Sequence, residues 1–176
     1  MTDGGRLDAA ASRLRRGPVD ALHAATGSRL DSGRVGIVSA RAGVGKTALL
    51  VHFALDALFR GRQVLHVALR DTVDHARAHY DEVLRAVLAA GTDRPRPPDA
   101  ALLVERHRMI HSWHGRPFAP GLLLRSLDVL EEAAGFRPAL VLVDGYDGAD
   151  ALEAQLPALR DLARDRAIAI VVSVRA

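Results

Sequence analysis

One short stretch constrains the fold of this chain more than any other. Residues 40–47 read A-R-A-G-V-G-K-T, and they follow the apolar run RVGIVS, which predicts a buried strand. Residues 45–60 then carry apolar side chains at the spacing that is typical of a helix. A glycine-rich turn between a strand and a helix directs backbone N–H groups and the positive end of the helix dipole at one point. The stretch therefore predicts that this turn binds an anion. A structural turn that binds no ligand is the simpler alternative.

The stretch fits the phosphate-loop pattern G-x-x-x-x-G-K-[ST], with alanine at its first position. Its two inner glycines let the backbone turn toward phosphate oxygens, while the lysine neutralises the β- and γ-phosphates and the threonine hydroxyl ligates Mg²⁺. The lysine is the only one among 24 basic residues, which indicates that a compact ammonium is required there. The residues predicted to hold a nucleoside triphosphate are Ala40, Arg41, Ala42, Gly43, Val44, Gly45, Lys46 and Thr47.

A carboxylate at the end of a later strand is the candidate second magnesium ligand. Asp144 follows the apolar residues A-L-V-L-V, and Asp147 is the alternative three residues on. An aspartate at a strand end is common, so its weight comes from its pairing with the upstream loop. Lys46, Asp144 and Thr47 are thus predicted to act together on Mg-ATP.

The order of the elements predicts one α/β domain with a mostly parallel five-stranded sheet in three αβα layers. Residues 1–33 are expected to be a helical extension, with helices at 6–16 and within 19–33, and residues 34–176 the core. Residues 91–98 are expected to be a loop. Strands are predicted at residues 34–39, 63–69, 108–113, 139–144 and 167–174. Helices are predicted at residues 45–60, 72–90, 99–106, 120–134 and 150–164.

Composition narrows the class of protein. The chain has 176 residues and no cysteine, which excludes disulfides and thiolate metal sites. It contains no apolar run long enough to span a membrane, and its first residues lack the pattern of a signal peptide, so a cytoplasmic protein is expected. The net charge of +3 is spread along the chain and gives little support to nucleic-acid binding.

The stretch RAGVGKTALLVHFALDALFRGRQVLHVALRD, together with LVLVDGYDG and IVVSV, resembles RecA-like ATPases, especially the KaiC, RadA and DnaB-helicase group. The resemblance covers roughly residues 30–175. It implies a RecA-like P-loop NTPase that binds Mg-ATP. It also implies a strand order that runs from residues 108–113 through 63–69, the Asp144 strand and 167–174 to the P-loop strand.

The chain departs from that group at two functional positions. Relatives carry a catalytic glutamate after the second strand, where this chain has Arg70 followed by Asp71, so Asp71 is the candidate that activates water. Relatives also end the closing strand with a polar γ-phosphate sensor, and Ser173 lies in that region here. Arg41 matches a lysine that reaches across the dimer in MinD and ParA proteins, although a solvated loop residue is the simpler interpretation.

The predicted sheet leaves the P-loop strand at an edge, which residues 1–33 or another subunit must cover. A homodimer or a protein partner is therefore expected. The function that the sequence favours is a slow or partner-stimulated ATPase. A nucleotide-gated interaction switch is the main alternative, and a motor that depends on single-stranded DNA or a nucleotide-dependent transferase ranks lower.

Two histidine groups complete the candidates. His75 and His79 share a helix face, with Asp71 and Glu82 nearby in sequence, but helix histidines without a metal are the simpler interpretation. The segment RHRMIHSWHGR is basic and contains Trp113, so it is a conceivable platform for single-stranded nucleic acid. Packing of Trp113 in the core is the favoured interpretation.

Overall fold

The structure, a computed structural model, describes residue 14 and residues 17–27, 29–89 and 97–175. The strands of this described part are β1 (Val35–Ala40), β2 (Val64–Ala68), β3 (Arg108–Ser112), β4 (Leu140–Asp147) and β5 (Ala169–Arg175). Its helices are α1 (Pro18–Thr26), α2 (Lys46–Phe59), α3 (Val73–Ala89), α4 (Pro97–His107), α5 (Pro120–Ala134) and α6 (Ala149–Asp165).

The strands form one all-parallel sheet in the order β1-β5-β4-β2-β3. This confirms the predicted α/β class, the five strands and their order. Because all strands are parallel, their carboxyl ends meet at one edge, where Ala68 pairs with both Ser112 and Asp144. Ligands of open parallel sheets bind at this edge, so it is where a site is sought.

Helices cover both faces of the sheet, because each strand buries alternate side chains in two separate hydrophobic clusters. Leu140 and Leu142 of β4 lie in the cluster beneath α1, α2, α3 and α4. Val141 and Val143 lie in the opposite cluster, beneath α5 and α6. The near-continuous apolar strands of the sequence are thus explained by burial from both sides.

The N-terminal predictions are tested only in part. The predicted helix at residues 6–16 lies outside the described residues except for Leu14, which is helical and buried. The short helix expected within 19–33 is confirmed as α1, which ends at Gly27 in the left-handed conformation. Leu14 and Val19 both belong to the hydrophobic cluster under α2, so the extension shares the core of the domain.

Most boundaries lie one or two residues from the predicted ones, and two of the differences have a clear cause in the sequence. Helix α4 begins at Pro97, inside the stretch expected to be a loop, and residues 90–96 lie outside the described part. Strand β4 runs three residues past Asp144 to Asp147, with a register shift against β5 between Val143 and Tyr146. The prediction ended this strand too early because the dipeptide Asp144-Gly145 is typical of a turn.

Strand β1 lies at a sheet edge, as predicted for the P-loop strand. Ile37 in this strand is 48% exposed, and a groove of about 480 Å³ runs along the edge between α1 and α6. The basic residues that line the groove are Arg29, Arg34, Arg160 and Arg164. None of the described helices is long and apolar enough to cross a membrane.

Candidate functional site

The loop of residues 40–47 connects β1 to α2 at the carboxyl edge of the sheet. Gly43 and Gly45 have φ values of +79° and +89°, in the left-handed region that favours glycine. A Cβ atom at either position would meet nothing within 4 Å, so the backbone conformation, rather than lack of space, explains why glycine occupies both. Helix α2 begins at Lys46, directly after the turn.

The Lys46 side chain folds back over the start of the loop. Its Nζ atom donates to the carbonyl oxygens of Ala40 at 2.7 Å and Arg41 at 2.8 Å. These contacts keep the ammonium at the mouth of the turn, where the helix dipole also favours negative charge. Arg41 and Val44 are exposed at the tip of the same loop.

Asp144 is buried in β4 and is surrounded by donors from other elements. The Ser173 hydroxyl of β5 donates to its Oδ1 atom and accepts from the Gly145 N–H at 2.9 Å. The His66 Nε2 atom lies 3.8 Å from Oδ2, beyond hydrogen-bond length, and has no hydrogen-bond partner among the described residues. The Thr47 hydroxyl also interacts with the Asp144 carboxyl.

These neighbours determine the charge of the Asp144 carboxyl. Burial acts to raise its pKa, but the interactions with His66, with the Ser173 hydroxyl and with the Thr47 hydroxyl outweigh burial. The pKa of Asp144 is therefore lower than its ordinary value of 3.8. A buried carboxylate held in the charged form suits a cation ligand, because binding the cation requires no deprotonation.

Behind Asp144 lies a polar chain that the sequence analysis missed. His66 is fully buried, and its Nδ1 atom is 3.2 Å from the Tyr80 hydroxyl of α3. The Arg108 guanidinium stacks over the Tyr80 ring at 4.5 Å from its centroid and pairs with Glu105. The signal was present in the sequence, since a histidine interrupts the otherwise apolar strand V-L-H-V-A.

A cavity of about 300 Å³ opens beside the loop, which is within the roughly 300–1,000 Å³ typical of ligand pockets. The residues that line it are Ala42, Lys46, Arg70, Gly145, Tyr146 and Arg175. Three of them are cationic, so the cavity favours an anion. The groove at the β1 edge is larger, but it lies away from Asp144 and Lys46, and the chemistry therefore assigns the site to the smaller cavity.

Arg70 is the second feature that the sequence analysis undervalued. It forms an ion pair with Asp147 across the cavity mouth, and both side chains are more than half exposed. Its aliphatic part packs over Gly145, where an added Cβ atom would lie only 2.9 Å from the Arg70 Cγ atom. The D-G-Y-D segment at the end of β4 therefore fits around an arginine.

Asp71, the candidate water activator, has a different environment from Arg70. Its carboxylate lies 2.7 Å from the His75 Nδ1 atom on α3, and its main-chain oxygen accepts from the Ser112 hydroxyl. The structure thus brings together three predicted site residues, namely Thr47, Asp144 and Ser173, and Lys46 lines the neighbouring cavity with Gly145. It positions Asp71 beside them, turned toward α3.

The basic segment of residues 106–116 packs partly in the core. Arg108 is buried with its guanidinium over the Tyr80 ring, and Trp113 packs against Phe118 with ring centroids 5.8 Å apart. Trp113 also adjoins the hydrophobic cluster under α5 and α6, which confirms the core-packing interpretation.

No protein-family model matches the chain, and a search of curated proteins found no match. The class that the geometry defines is an α/β protein with an all-parallel five-stranded sheet.

Proposed function

We propose that this protein is a Mg-ATP-binding P-loop ATPase of minimal RecA-like fold, with slow or partner-stimulated hydrolysis. One observation carries the proposal. The turn with Gly43 and Gly45 in the left-handed conformation presents Thr47 to the buried carboxylate of Asp144, while Lys46 lines the cavity together with Gly145. A phosphate-binding turn beside an ionised metal ligand is the arrangement that a magnesium-bound triphosphate requires.

Each residue has a role that its surroundings support. The backbone N–H groups of residues 43–47 and the Lys46 ammonium bind the phosphates, for which Lys46 leaves the carbonyls of Ala40 and Arg41. Thr47 and Asp144 hold Mg²⁺, and Ser173 and His66 keep the Asp144 carboxylate oriented. The magnesium ion supplies charge neutralisation between the β- and γ-phosphates when it is bound.

Adenine is the expected base. The guanine-recognition signature N/T-K-x-D needs a lysine, and the only lysine of the chain is Lys46 in the loop itself. ATP is therefore the expected ligand, and GTP serves as the comparison.

A nucleotide-gated switch with little hydrolysis is the second candidate. The observation that favours it is Arg70, which lines the cavity and pairs with Asp147, whereas Asp71 bonds to His75. An arginine can exchange Asp147 for a phosphate and so report nucleotide binding without activating water. Hydrolysis by Asp71 would require its carboxylate to leave His75.

The test is calorimetric titration of Mg-ATP and Mg-GTP into the wild type and into Lys46→Ala, followed by phosphate release on the same samples. Lys46→Ala should lose at least about 100-fold in affinity if a charge-assisted phosphate contact of about 3 kcal/mol is removed. Arg85→Ala is the matched control, because it removes an exposed positive charge from α3 and should bind as the wild type does.

The outcomes separate the candidates. ATP binding that depends on Lys46 and is followed by phosphate release establishes an ATPase. The same binding without release favours the switch and directs attention to Arg70. Equal binding by the wild type and Lys46→Ala, or no binding by either, would overturn the proposal.

A further inference from the structure

Three potential metal ligands converge at the start of α3, beside the nucleotide cavity. His75 and His79 are four residues apart on one face of α3, and Asp71 precedes the first residue of that helix by two positions. One ligand atom from each lies within 4.8 Å of the other two. The rings of His75 and His79 are 4.9 Å apart between centroids, and the Asp71 Oδ1 atom is 2.7 Å from His75 Nδ1.

We propose that Asp71, His75 and His79 form a site for a divalent transition-metal ion of the Zn²⁺ class. Two imidazoles and a carboxylate are ligands that zinc prefers, at metal–ligand distances of about 2.0–2.2 Å. Tetrahedral ligands of one ion are then roughly 3.3 Å apart. His75 is exposed and the other two are partly exposed, so rotation of the side chains closes the remaining distance without moving the helix.

The backbone that carries the ligands is held from outside the cluster. The Ser112 hydroxyl donates to the main-chain oxygen of Asp71 at 2.7 Å. The His114 Nδ1 atom lies 2.8 Å from the main-chain oxygen of Arg70, and the His75 N–H donates to the Thr72 hydroxyl at 3.2 Å. Outer contacts of this kind orient ligands before a metal arrives.

The three protein ligands leave one tetrahedral position open. Sites with three protein ligands hold water or an exogenous ligand in the fourth position, whereas closed structural sites use four protein ligands. The site therefore belongs to the open type. It shares no residue with the Lys46, Thr47 and Asp144 set, so metal binding does not depend on a nucleotide. Asp71 is the one residue it shares with the proposed ATPase, and it cannot activate water while it ligates a metal.

The test uses untagged, EDTA-treated full-length protein without nucleotide. Co²⁺ is titrated while its visible absorption is followed, and Zn²⁺ affinity is measured by calorimetry in excess Mg²⁺. The wild type should bind a single Zn²⁺ ion, and Co²⁺ should develop the intense absorption of tetrahedral coordination. His75→Gln, His79→Gln and Asp71→Asn should each weaken Zn²⁺ binding by more than the roughly 10- to 100-fold that follows loss of an outer-shell partner.

Two control variants match these changes. His23→Gln removes a partly exposed histidine of α1, at the β1 edge of the sheet, and Asp74→Asn removes a carboxylate from the first turn of α3. Both should bind Zn²⁺ as the wild type does, and circular dichroism should show that every variant is folded. Wild-type binding no tighter than that of a His75→Gln, His79→Gln double variant would overturn the proposal and leave the Asp71–His75 contact as a local hydrogen bond.

Discussion

Asp144 is buried, yet the pKa of its carboxyl is lowered. The hydrogen bond from Ser173 is one cause of that lowering. Because its folded pKa lies below the unfolded value of 3.8, the interactions of this carboxylate stabilise the fold above that pH. The stabilisation is lost as the pH falls through the folded pKa, where the carboxyl becomes protonated in both states. The Ser173 hydroxyl should therefore contribute more at neutral pH than in acid.

The variant Ser173→Ala tests this at the level of one hydrogen bond. It should lower the free energy of unfolding by about 1.5–3 kcal/mol at pH 7, as expected for a buried hydrogen bond to a charged group. The loss should shrink as the pH is lowered below the ordinary carboxyl range, measured by urea unfolding at each pH.

Ser112→Ala is the control for this experiment, because its hydroxyl donates to the neutral main-chain oxygen of Asp71. Ser112→Ala should lower the free energy of unfolding by about 1 kcal/mol, and this loss should not change with pH. A Ser173→Ala loss that is equally independent of pH would mean that Asp144 is uncharged in the folded protein.

Strand β4 changes register at Gly145, and Arg70 packs against that residue. Gly145 has a φ of +86°, and a Cβ atom there would contact the Arg70 side chain. Gly145→Ala should lower the free energy of unfolding by about 1–3 kcal/mol because of the backbone conformation. The contact with the Arg70 side chain should lower it further. Gly61→Ala measures the first contribution alone, since Gly61 also has positive φ but open space around it.

The double variant Arg70→Ala, Gly145→Ala isolates the contact. It removes the closest side-chain atoms, so its destabilisation should be smaller than the sum of the two single variants in urea unfolding. The exposed Arg70–Asp147 pair should itself contribute little. Additive effects would show that Arg70 moves aside freely and does not shape this turn.

The elements were predictable because burial on two faces leaves long apolar runs in sequence. The strand that precedes the loop and the strand that carries Asp144 follow from this pattern, and the loop itself follows from its glycines. The neighbours of Asp144 could not be predicted from this pattern, because His66 lies near Asp144 only through the pairing of β2 with β4. The direction of Asp71 also could not be predicted, since it depends on a local contact with His75 rather than on any periodic pattern.

At the scale of the whole molecule, the exposed edge of β1 is where we expect a second chain to bind. Parallel edges are normally covered or paired, and Ile37 there is 48% exposed. A homodimer across this edge would bring the groove arginines of both copies close together, including Arg34 and Arg160. Their repulsion is screened over about 30 Å at 0.01 M salt and about 3 Å at 1 M salt, so dimerisation through β1 should strengthen as salt rises.

Sedimentation velocity across this range of salt, with and without Mg-ATP, measures the association. Ile37→Ser should weaken it by about tenfold or more, because the half-exposed isoleucine of each copy contributes about 0.8–1.5 kcal/mol when it is buried, and a dimer contains two. Val129→Ser is the matched control, since Val129 is 61% exposed on α5, on the opposite face of the sheet from α1. Association that weakens with salt would indicate attraction between opposite charges elsewhere on the surface. A wild type that stays monomeric under all these conditions would contradict the homodimer and leave an acidic protein partner as the occupant whose charge matches the arginines of the groove.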